Sequence, residues 1–155
     1  MAVAGAIPLF GKAFKGGKII LKNIDDLDEV PNKFPDEIDF PKFEEGKTAA
    51  WADGEFTLSG YSADVPPGFS RPILSAVAKE FPMNRTPSFK DNNAGDGAFW
   101  LSHAEKQVQT LRPGKPIVST RDMCDHCFQD FTELARLNSQ NYYVLDPSGL
   151  YVFKP

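Results

Sequence analysis

The chain contains few of the side chains that most often bind transition metals, since its 155 residues include only two cysteines and two histidines. The cysteines are three positions apart, which excludes the disulfide framework of a small secreted domain. No apolar run approaches the roughly 18 residues that a membrane-spanning helix requires. A formal net charge of −4 argues against tight nonspecific binding of duplex DNA, which depends on many contacts from Lys and Arg to phosphates. Binding to a single strand remains open, because it relies on the stacking of a few bases.

The composition is that of an ordinary globular domain, with 41% apolar and 25% charged residues. Residues 1–46 combine Gly-Lys, Pro and acidic stretches with little hydrophobic periodicity, and only Ile19–Ile24 is strand-like. We predict that residues 1–46 are an extension or linker from a longer carrier chain, wrapped on the domain surface. Residues 47–155 are predicted to form the functional domain.

The pattern after residue 46 predicts a layered α/β domain with a mixed sheet. The first two strands flank Asp53 and Gly54, a pair that suits a type I′ turn. Four residues, Asp146–Gly149, join the last two strands, too few for a crossover helix, so these strands should pair antiparallel. The first helix is expected to be capped by Ser70 or Arg71. The predicted strands are 48–52, 55–59, 117–119, 141–145 and 150–153, and the predicted helices are 70–81, 103–111 and 123–137.

All the cysteines and histidines fall between His103 and Cys127. Taken alone, each part of this stretch has an ordinary interpretation. Ser102 and Glu105 have the spacing of a capping box, in which the Glu only begins a helix. Cys124 and Cys127 at the start of another helix suit a redox pair, half a zinc site or two small core residues.

Together these residues favour a catalytic zinc site, which takes three protein ligands and leaves one position for water. The three ligands would be His103, Cys124 and Cys127, since cysteines at i and i+3 share one face of a helix. Glu105 follows the His by two residues and is able to face the ion without being a ligand. A closed site that includes His126 is the alternative, although at i+2 from Cys124 it should point about 200° around the helix.

A family resemblance is carried by Ser-His-Ala-Glu-Lys-Gln at residues 102–107, Cys-Asp-His-Cys at residues 124–127 and the hairpin that ends the chain. These features resemble the deaminase domains of bacterial polymorphic toxins, and most closely the single-stranded DNA cytosine deaminase toxins of type VI secretion. The firm match covers roughly residues 98–154. The Gly-Lys-rich leader is similar to the junction at which such domains are cut from Rhs-type carriers. The zinc-deaminase signature has Pro before the first Cys, where this chain has Met123, which weakens the assignment to one substrate branch.

The resemblance implies a cytidine-deaminase-like fold, with a mixed sheet sandwiched by helices and an antiparallel C-terminal hairpin. It also implies zinc-dependent deamination of cytosine to uracil in single-stranded DNA. His103, Cys124 and Cys127 would hold Zn²⁺, and Glu105 would move the protons. RNA, free nucleosides and adenine stay open as targets. The alternative from another functional class is a non-catalytic binding module that zinc stabilises.

Further expectations concern the substrate and the biological setting. A toxin of this kind implies a cognate immunity protein and a secreted effector that acts in the cytoplasm of a target bacterium. The oligomeric state and the sequence context of the target base are not determined by the sequence. Trp51, Phe99, Trp100 and Phe128 are candidates for stacking on the base, with core packing as the alternative for each. The other expected substrate contacts are Asn92, Asn93, Ala104, Ser119 and Thr120.

Overall fold

The computed structural model of the protein describes residues 2–4, 17–22, 24, 27–28, 30–31, 34–61, 63–82 and 100–155. Within these residues a short 3₁₀ turn, Trp100–Ser102, precedes the second of three α-helices. None of the helices in the described ranges is both long enough and apolar enough to cross a membrane. The helices are α1 (Leu74–Glu80), α2 (Ala104–Leu111) and α3 (Asp125–Asn138). The strands are β1 (Ala2–Ala4), β2 (Lys18–Ile20), β3 (Glu37–Asp39), β4 (Ala49–Ala52), β5 (Glu55–Leu58), β6 (Ile117–Ser119), β7 (Tyr142–Asp146) and β8 (Gly149–Phe153).

Six of these strands form one sheet in the order β1-β8-β7-β6-β4-β5. The central strands β6 and β7 are parallel, and the other neighbouring pairs are antiparallel. The chain between β6 and β7 contains α3, as a parallel pair requires a crossover connection. β2 and β3 pair antiparallel in a separate two-stranded sheet. The predicted α/β class with a mixed sheet is confirmed.

Both predicted hairpins are present. Between β4 and β5, Asp53 and Gly54 have φ values of 46° and 83°, the left-handed backbone that a type I′ turn needs. Between β7 and β8, Asp146 pairs with Gly149, so two residues make the connection. β7 and β8 are antiparallel along their whole length. The C-terminal prediction is therefore confirmed.

The central strands are apolar on both faces of the sheet, because successive side chains point to opposite sides. On one face, Ala50, Ile117 and Val144 pack in a core cluster with residues of α1, α2 and α3. On the other face, Val118 and Leu145 pack in a second cluster with residues of the N-terminal segment. The helices that the structure describes thus cover one face only, and not both as expected.

The N-terminal segment covers the second face because it carries apolar side chains at short intervals. Ile19, Leu21, Ile38 and Phe40 are all buried in the cluster that contains the central strands. Such burial stabilises the fold by an amount that scales with the apolar area removed from water. The described residues before position 47 therefore contribute to the same core as the sheet.

The first helix is shorter than predicted. α1 begins at Leu74, its N-cap is Ile73, and no side chain caps it. Neither Ser70 nor Arg71 is the cap. The N–H of Ser70 instead donates to the carbonyl oxygen of Phe56 at 2.8 Å, so the edge of β5 takes this stretch of backbone. Contact with the sheet thus outweighs the local capping preference at this position.

A buried ion pair joins α2 to α3. Lys106 and Asp130 contact each other with their side chains 0% and 3% exposed. The ammonium group of Lys106 also lies 5.7 Å from the centroid of the Phe81 ring, which comes from the end of α1. A buried charge is costly unless it is paired. The pair therefore determines which faces of the two helices meet.

Removal of one partner leaves an uncompensated buried charge, so Lys106→Met or Asp130→Leu alone should lower the free energy of unfolding by about 3–5 kcal/mol. The double variant should lose less than the sum of the two, since it buries no charge. Arg136→Ala is the matched control, because it breaks the exposed pair with Glu133 and should cost about 1 kcal/mol or less. Urea unfolding measures the free energy of unfolding of the three single variants and the double variant. Equal losses for Lys106→Met and Arg136→Ala would contradict the assignment.

Candidate metal centre

The amino ends of α2 and α3 carry the side chains that the sequence singled out. His103 is the N-cap of α2, with extended backbone at φ −66° and ψ 139°. Cys124 is the N-cap of α3, also extended, at φ −76° and ψ 163°. Its sulfur accepts the N–H of Cys127 in the first turn of the helix, at 3.4 Å. A helix amino end favours the thiolate form of a cysteine.

The three side chains form one compact group. Nδ1 of His103 lies 3.2 Å from Sγ of Cys127 and 3.3 Å from Sγ of Cys124. One ligand atom from each residue lies within 4.8 Å of the others. Zn–S bonds of about 2.3 Å and Zn–N bonds of about 2.1 Å place tetrahedral ligands roughly 3.5–4 Å apart, which this group nearly matches. The three residues predicted as ligands therefore come together in a group that could hold a metal ion.

The two thiols have opposite electrostatic environments. The hydrogen bond from the thiol of Cys127 lowers the pKa of Cys124 to about 3. The nearby ring of His103 adds to this effect, and burial opposes it. The same hydrogen bond, together with burial, raises the pKa of Cys127 well above its usual value. Thiolates are the metal-binding form, so ligation by this pair releases a proton.

His126 does not belong to the group. The N-cap Cys124 and the helical residue Cys127 stand on either side of it in the chain, and both of their sulfur atoms lie beside His103. A closed site with two cysteines and two histidines is therefore not formed. The described residues instead bring together three side chains that could hold a metal ion, and three is the number of protein ligands typical of a catalytic zinc site.

Glu105 lies beside the group without belonging to it. Its side chain is buried, with the residue 3% exposed, and Oε2 lies 3.9 Å from Sγ of Cys127. Ser102 is not the N-cap that the capping box requires, because the N-cap of α2 is His103, whose side chain makes no capping hydrogen bond. Burial raises the pKa of Glu105, and the charge of the neighbouring His103 opposes this. The carboxylate thus lies beside the metal group, and a hydrogen bond to the backbone N–H of Glu105 itself also opposes the rise of its pKa.

The end of β6 supports that carboxylate. The hydroxyl of Ser119 lies 2.9 Å from Oε1 of Glu105 and 2.9 Å from the carbonyl oxygen of Arg121, and its single proton serves one of them at a time. The hydroxyl of Thr120 instead accepts the N–H of Ala49 at 3.0 Å. Ser119 therefore contacts the site, whereas Thr120 extends the pairing of β6 with β4.

The other predicted contacts are divided between the site, the core and the undescribed residues. Ala104 is buried at the start of α2, between His103 and Glu105. Trp51 lies in the cluster on the opposite face of the sheet, with its ring 6.2 Å from that of Phe34. The structure does not bring Trp51 to the metal group. Outside the described residues lie Asn92, Asn93, Phe99 and the side chain of Trp100.

Phe128 packs on the helix-covered face of the sheet. Its ring lies 5.6 Å from the ring of Tyr151 and 5.2 Å from that of Phe153, both in edge-to-face geometry. Such pairs add about 0.5–1.5 kcal/mol to the burial of the rings. These contacts support core packing for Phe128, the alternative to a role in stacking on a base.

Asp146 was interpreted from the sequence only as the start of the C-terminal turn. It is fully buried at the end of β7. Its Oδ1 accepts the N–H of Ser148 at 2.7 Å, and its Oδ2 accepts the N–H of Met123 at 2.9 Å. Burial raises the pKa of Asp146 to about 6, although both hydrogen bonds oppose the rise. The contact with Met123 places Asp146 next to the residue that precedes Cys124, the first cysteine of the candidate metal group.

We expect the protein to bind one zinc ion per chain that survives washing with a moderate chelator. Cys124→Ser or Cys127→Ser should abolish stoichiometric binding, because each removes one of three ligands. His126→Ala is the control and should retain the ion, since His126 lies outside the group. Elemental analysis of the purified variants measures the metal content. Loss of zinc from His126→Ala would instead favour a closed four-ligand site.

Comparisons with known proteins add no relative to this description. No model of a known protein family matches the chain, and a search of curated proteins finds no match. The chemistry of the three-ligand group and its neighbouring carboxylate is therefore the basis for inferring a function.

Proposed function

We propose that the protein is a zinc-dependent deaminase that hydrolyses cytosine to uracil in single-stranded DNA. One observation carries the proposal: the buried carboxylate of Glu105 faces a three-ligand group to which it does not belong. A structural zinc site takes four protein ligands and needs no additional carboxylate. The spacing H-x-E followed by C-x-x-C, in which the Glu is not a ligand, is that of the zinc deaminases.

Each residue of the group has a distinct role in this proposal. His103, Cys124 and Cys127 would hold the ion. When bound, zinc supplies Lewis-acid activation of water at the position that the protein leaves open. Glu105 takes a proton from the attacking water and delivers it to the ring nitrogen N3 of cytosine. It then moves a second proton to the departing amino group, so that water and cytosine become uracil and ammonia.

Ser119 supports this role through its position at the end of β6. Its hydroxyl donates to Oε1 of Glu105 whenever its proton is not on the carbonyl oxygen of Arg121, and so restrains this end of the carboxylate. Oε2 is then the oxygen that faces Cys127 and is available to exchange protons. Because the carboxylate is buried, bulk water does not compete for its protons. Ser119 thus orients the carboxylate of Glu105, the proposed proton carrier.

Single-stranded DNA is the proposed substrate for two reasons. The amino group of a base in a duplex is out of reach of such a site, so the enzyme needs a base that is unstacked or already single-stranded. The acidic net charge favours a substrate held by a few stacking contacts over one held by many phosphates. The choice of DNA over RNA and of cytosine over adenine rests on the resemblance carried by residues 102–107 and 124–127.

The proposal includes a biological role as a mutagenic toxin domain with a cytidine-deaminase-like fold. The sequence resemblance supports delivery as a type VI effector into the cytoplasm of a target bacterium. An enzyme that edits DNA is harmful to the cell that makes it, so a cognate immunity protein is proposed as its partner. Coexpression with the gene that adjoins the coding sequence tests this partner by the loss of toxicity.

The substrate is tested with the zinc-loaded protein and matched oligonucleotides of one sequence, as single-stranded DNA, duplex DNA and RNA. Sequencing of the products should reveal C-to-U conversion in the single-stranded DNA and little in the duplex. Free cytidine and adenosine, followed by chromatography, complete the set. If only RNA or a nucleoside is converted, that molecule replaces single-stranded DNA as the proposed substrate. If no base is converted in any of them, the result favours the non-catalytic binding module.

The variant Glu105→Ala distinguishes the proposed enzyme from a non-catalytic binding module. The variant should keep its zinc and its fold, because Glu105 is not among the ligands. Its deamination rate should fall by at least the 10²–10⁴-fold that general acid–base catalysis supplies. Glu133→Ala removes an exposed carboxylate from α3 and serves as the matched control that keeps the full rate. The readouts are metal content, thermal melting and conversion of a cytosine-containing strand. A Glu105→Ala protein that deaminates at the wild-type rate would refute the role.

A further inference from the structure

The residue that enters α3 is held by a side chain from another part of the chain. Met123 directly precedes the N-cap Cys124, and its N–H donates to Oδ2 of Asp146 at 2.9 Å. We infer that Asp146 is a positioning residue of the metal centre, whose carboxylate sets the direction in which the chain enters Cys124. The inference rests on the metal centre of the proposed function but not on the reaction.

The position of Met123 explains why such a restraint matters. In the signature H-x-E followed by P-C-x-x-C, a proline stands here. Proline holds φ near −65° and has no N–H, so it restrains the backbone covalently and leaves no donor to satisfy. Methionine leaves φ free and adds a donor. In this chain that donor has an acceptor, and the hydrogen bond supplies the restraint that the ring would otherwise provide.

Asp146 is well suited to act as a fixed acceptor. It is fully buried, and it lies at the end of β7 in the centre of the sheet. Its second oxygen accepts the N–H of Ser148, so both carboxylate oxygens are held by backbone donors. A carboxylate held on both sides has little freedom to follow a moving loop. The rigidity of the sheet is therefore transferred to the residue before Cys124.

The topology places this contact beside the proton carrier. β6 and β7 are parallel and pair Val118 with Leu145, so the next residues, Ser119 and Asp146, are neighbours at the carboxyl end of the sheet. Ser119 holds the carboxylate of Glu105. Adjacent strand ends thus hold the two halves of the site, one orienting the proton carrier and the other the cysteine pair.

The competing explanation is that Asp146 only closes the hairpin between β7 and β8. A second link joins the same two segments, because the hydroxyl of Ser148 donates to Oδ1 of Asp122 at 2.8 Å. Ser148→Ala cuts this second link and leaves the contact between Asp146 and Met123 intact. It is therefore the control for the link between the turn and Asp122, while the comparison with Met123→Pro tests a role of Asp146 confined to the turn.

The experiment follows the release of zinc from the loaded protein to a coloured chelator, with thermal melting measured in parallel. Asp146→Ala should speed the release by about 10–100-fold, the usual effect of removing a group that orients metal ligands. Ser148→Ala should change it by less than about twofold, as expected for an exposed contact away from the ligands. The visible spectrum of the Co²⁺ form should change in Asp146→Ala and not in Ser148→Ala.

Met123→Pro gives the decisive comparison. Alone, it should speed zinc release, because it leaves Oδ2 of Asp146 buried without its donor. In the Asp146→Ala background it should slow the release, because the ring restores the restraint on the backbone. Opposite effects of one substitution in two backgrounds are the signature of a direct coupling between the two positions. A role confined to the hairpin predicts no such reversal.

Three results would overturn the inference: release at the wild-type rate in Asp146→Ala, equal effects of Asp146→Ala and Ser148→Ala, or no recovery in the double variant. Should Asp146→Ala fail to fold, Asp146→Asn takes its place with and without Met123→Pro, since its single carbonyl oxygen serves only one of the two donors. A wild-type protein that holds zinc and converts no base would refute the proposed function and leave this inference standing. A wild-type protein that holds no zinc would overturn it.

Discussion

The contact between the amino ends of α2 and α3 is the constraint on which the site depends. His103 comes from one helix and the two cysteines from the other, so a change in the packing of these helices would separate the ligand atoms. The buried pair Lys106–Asp130 joins the same helices about one turn beyond the ligands. Because either charge is costly when unpaired, this contact resists sliding and rotation of one helix against the other.

Side chains at the ends of two strands contact residues at the amino ends of the two helices. Ser119 at the end of β6 contacts Glu105, and Asp146 at the end of β7 contacts Met123. On the other side of the site, the buried amide of Gln107 donates to the carbonyl oxygens of Ser102 and Leu58, each at 2.8 Å. The residue before each ligand-bearing N-cap is therefore anchored by a polar side chain. Such supporting contacts often affect a metal site nearly as much as the ligands.

The local features of the fold were predictable from the sequence. The hairpin at Asp53 and Gly54 follows from the backbone that a tight turn requires, and the final hairpin follows from a connection too short for a crossover. Features that depend on distant contacts were not. The cap expected at Ser70 is absent because β5 takes that backbone, and Trp51 faces away from the site because of the register of β4 in the sheet. The covering of the second face by the N-terminal segment was also not predicted, because its alternating apolar pairs, such as Ile19 and Leu21, are too short to show which surface they bury against.

By itself the sequence predicted three candidate ligands, because cysteines at i and i+3 share a helix face and only two histidines are present, and it left His126 as the fourth ligand of an alternative closed site. It left Glu105 divided between a helix cap and a proton carrier, since both use the same local spacing. Only the tertiary structure showed that His103, and not Ser102, is the N-cap of the helix and that the buried carboxylate of Glu105 lies beside Ser119 and Cys127. The contact of Glu105 with Ser119 spans 14 residues of sequence, and that of Asp146 with Met123 spans 23. Such contacts arise from the pairing of β6 with β7 and the packing of helices on them, and no local pattern encodes them.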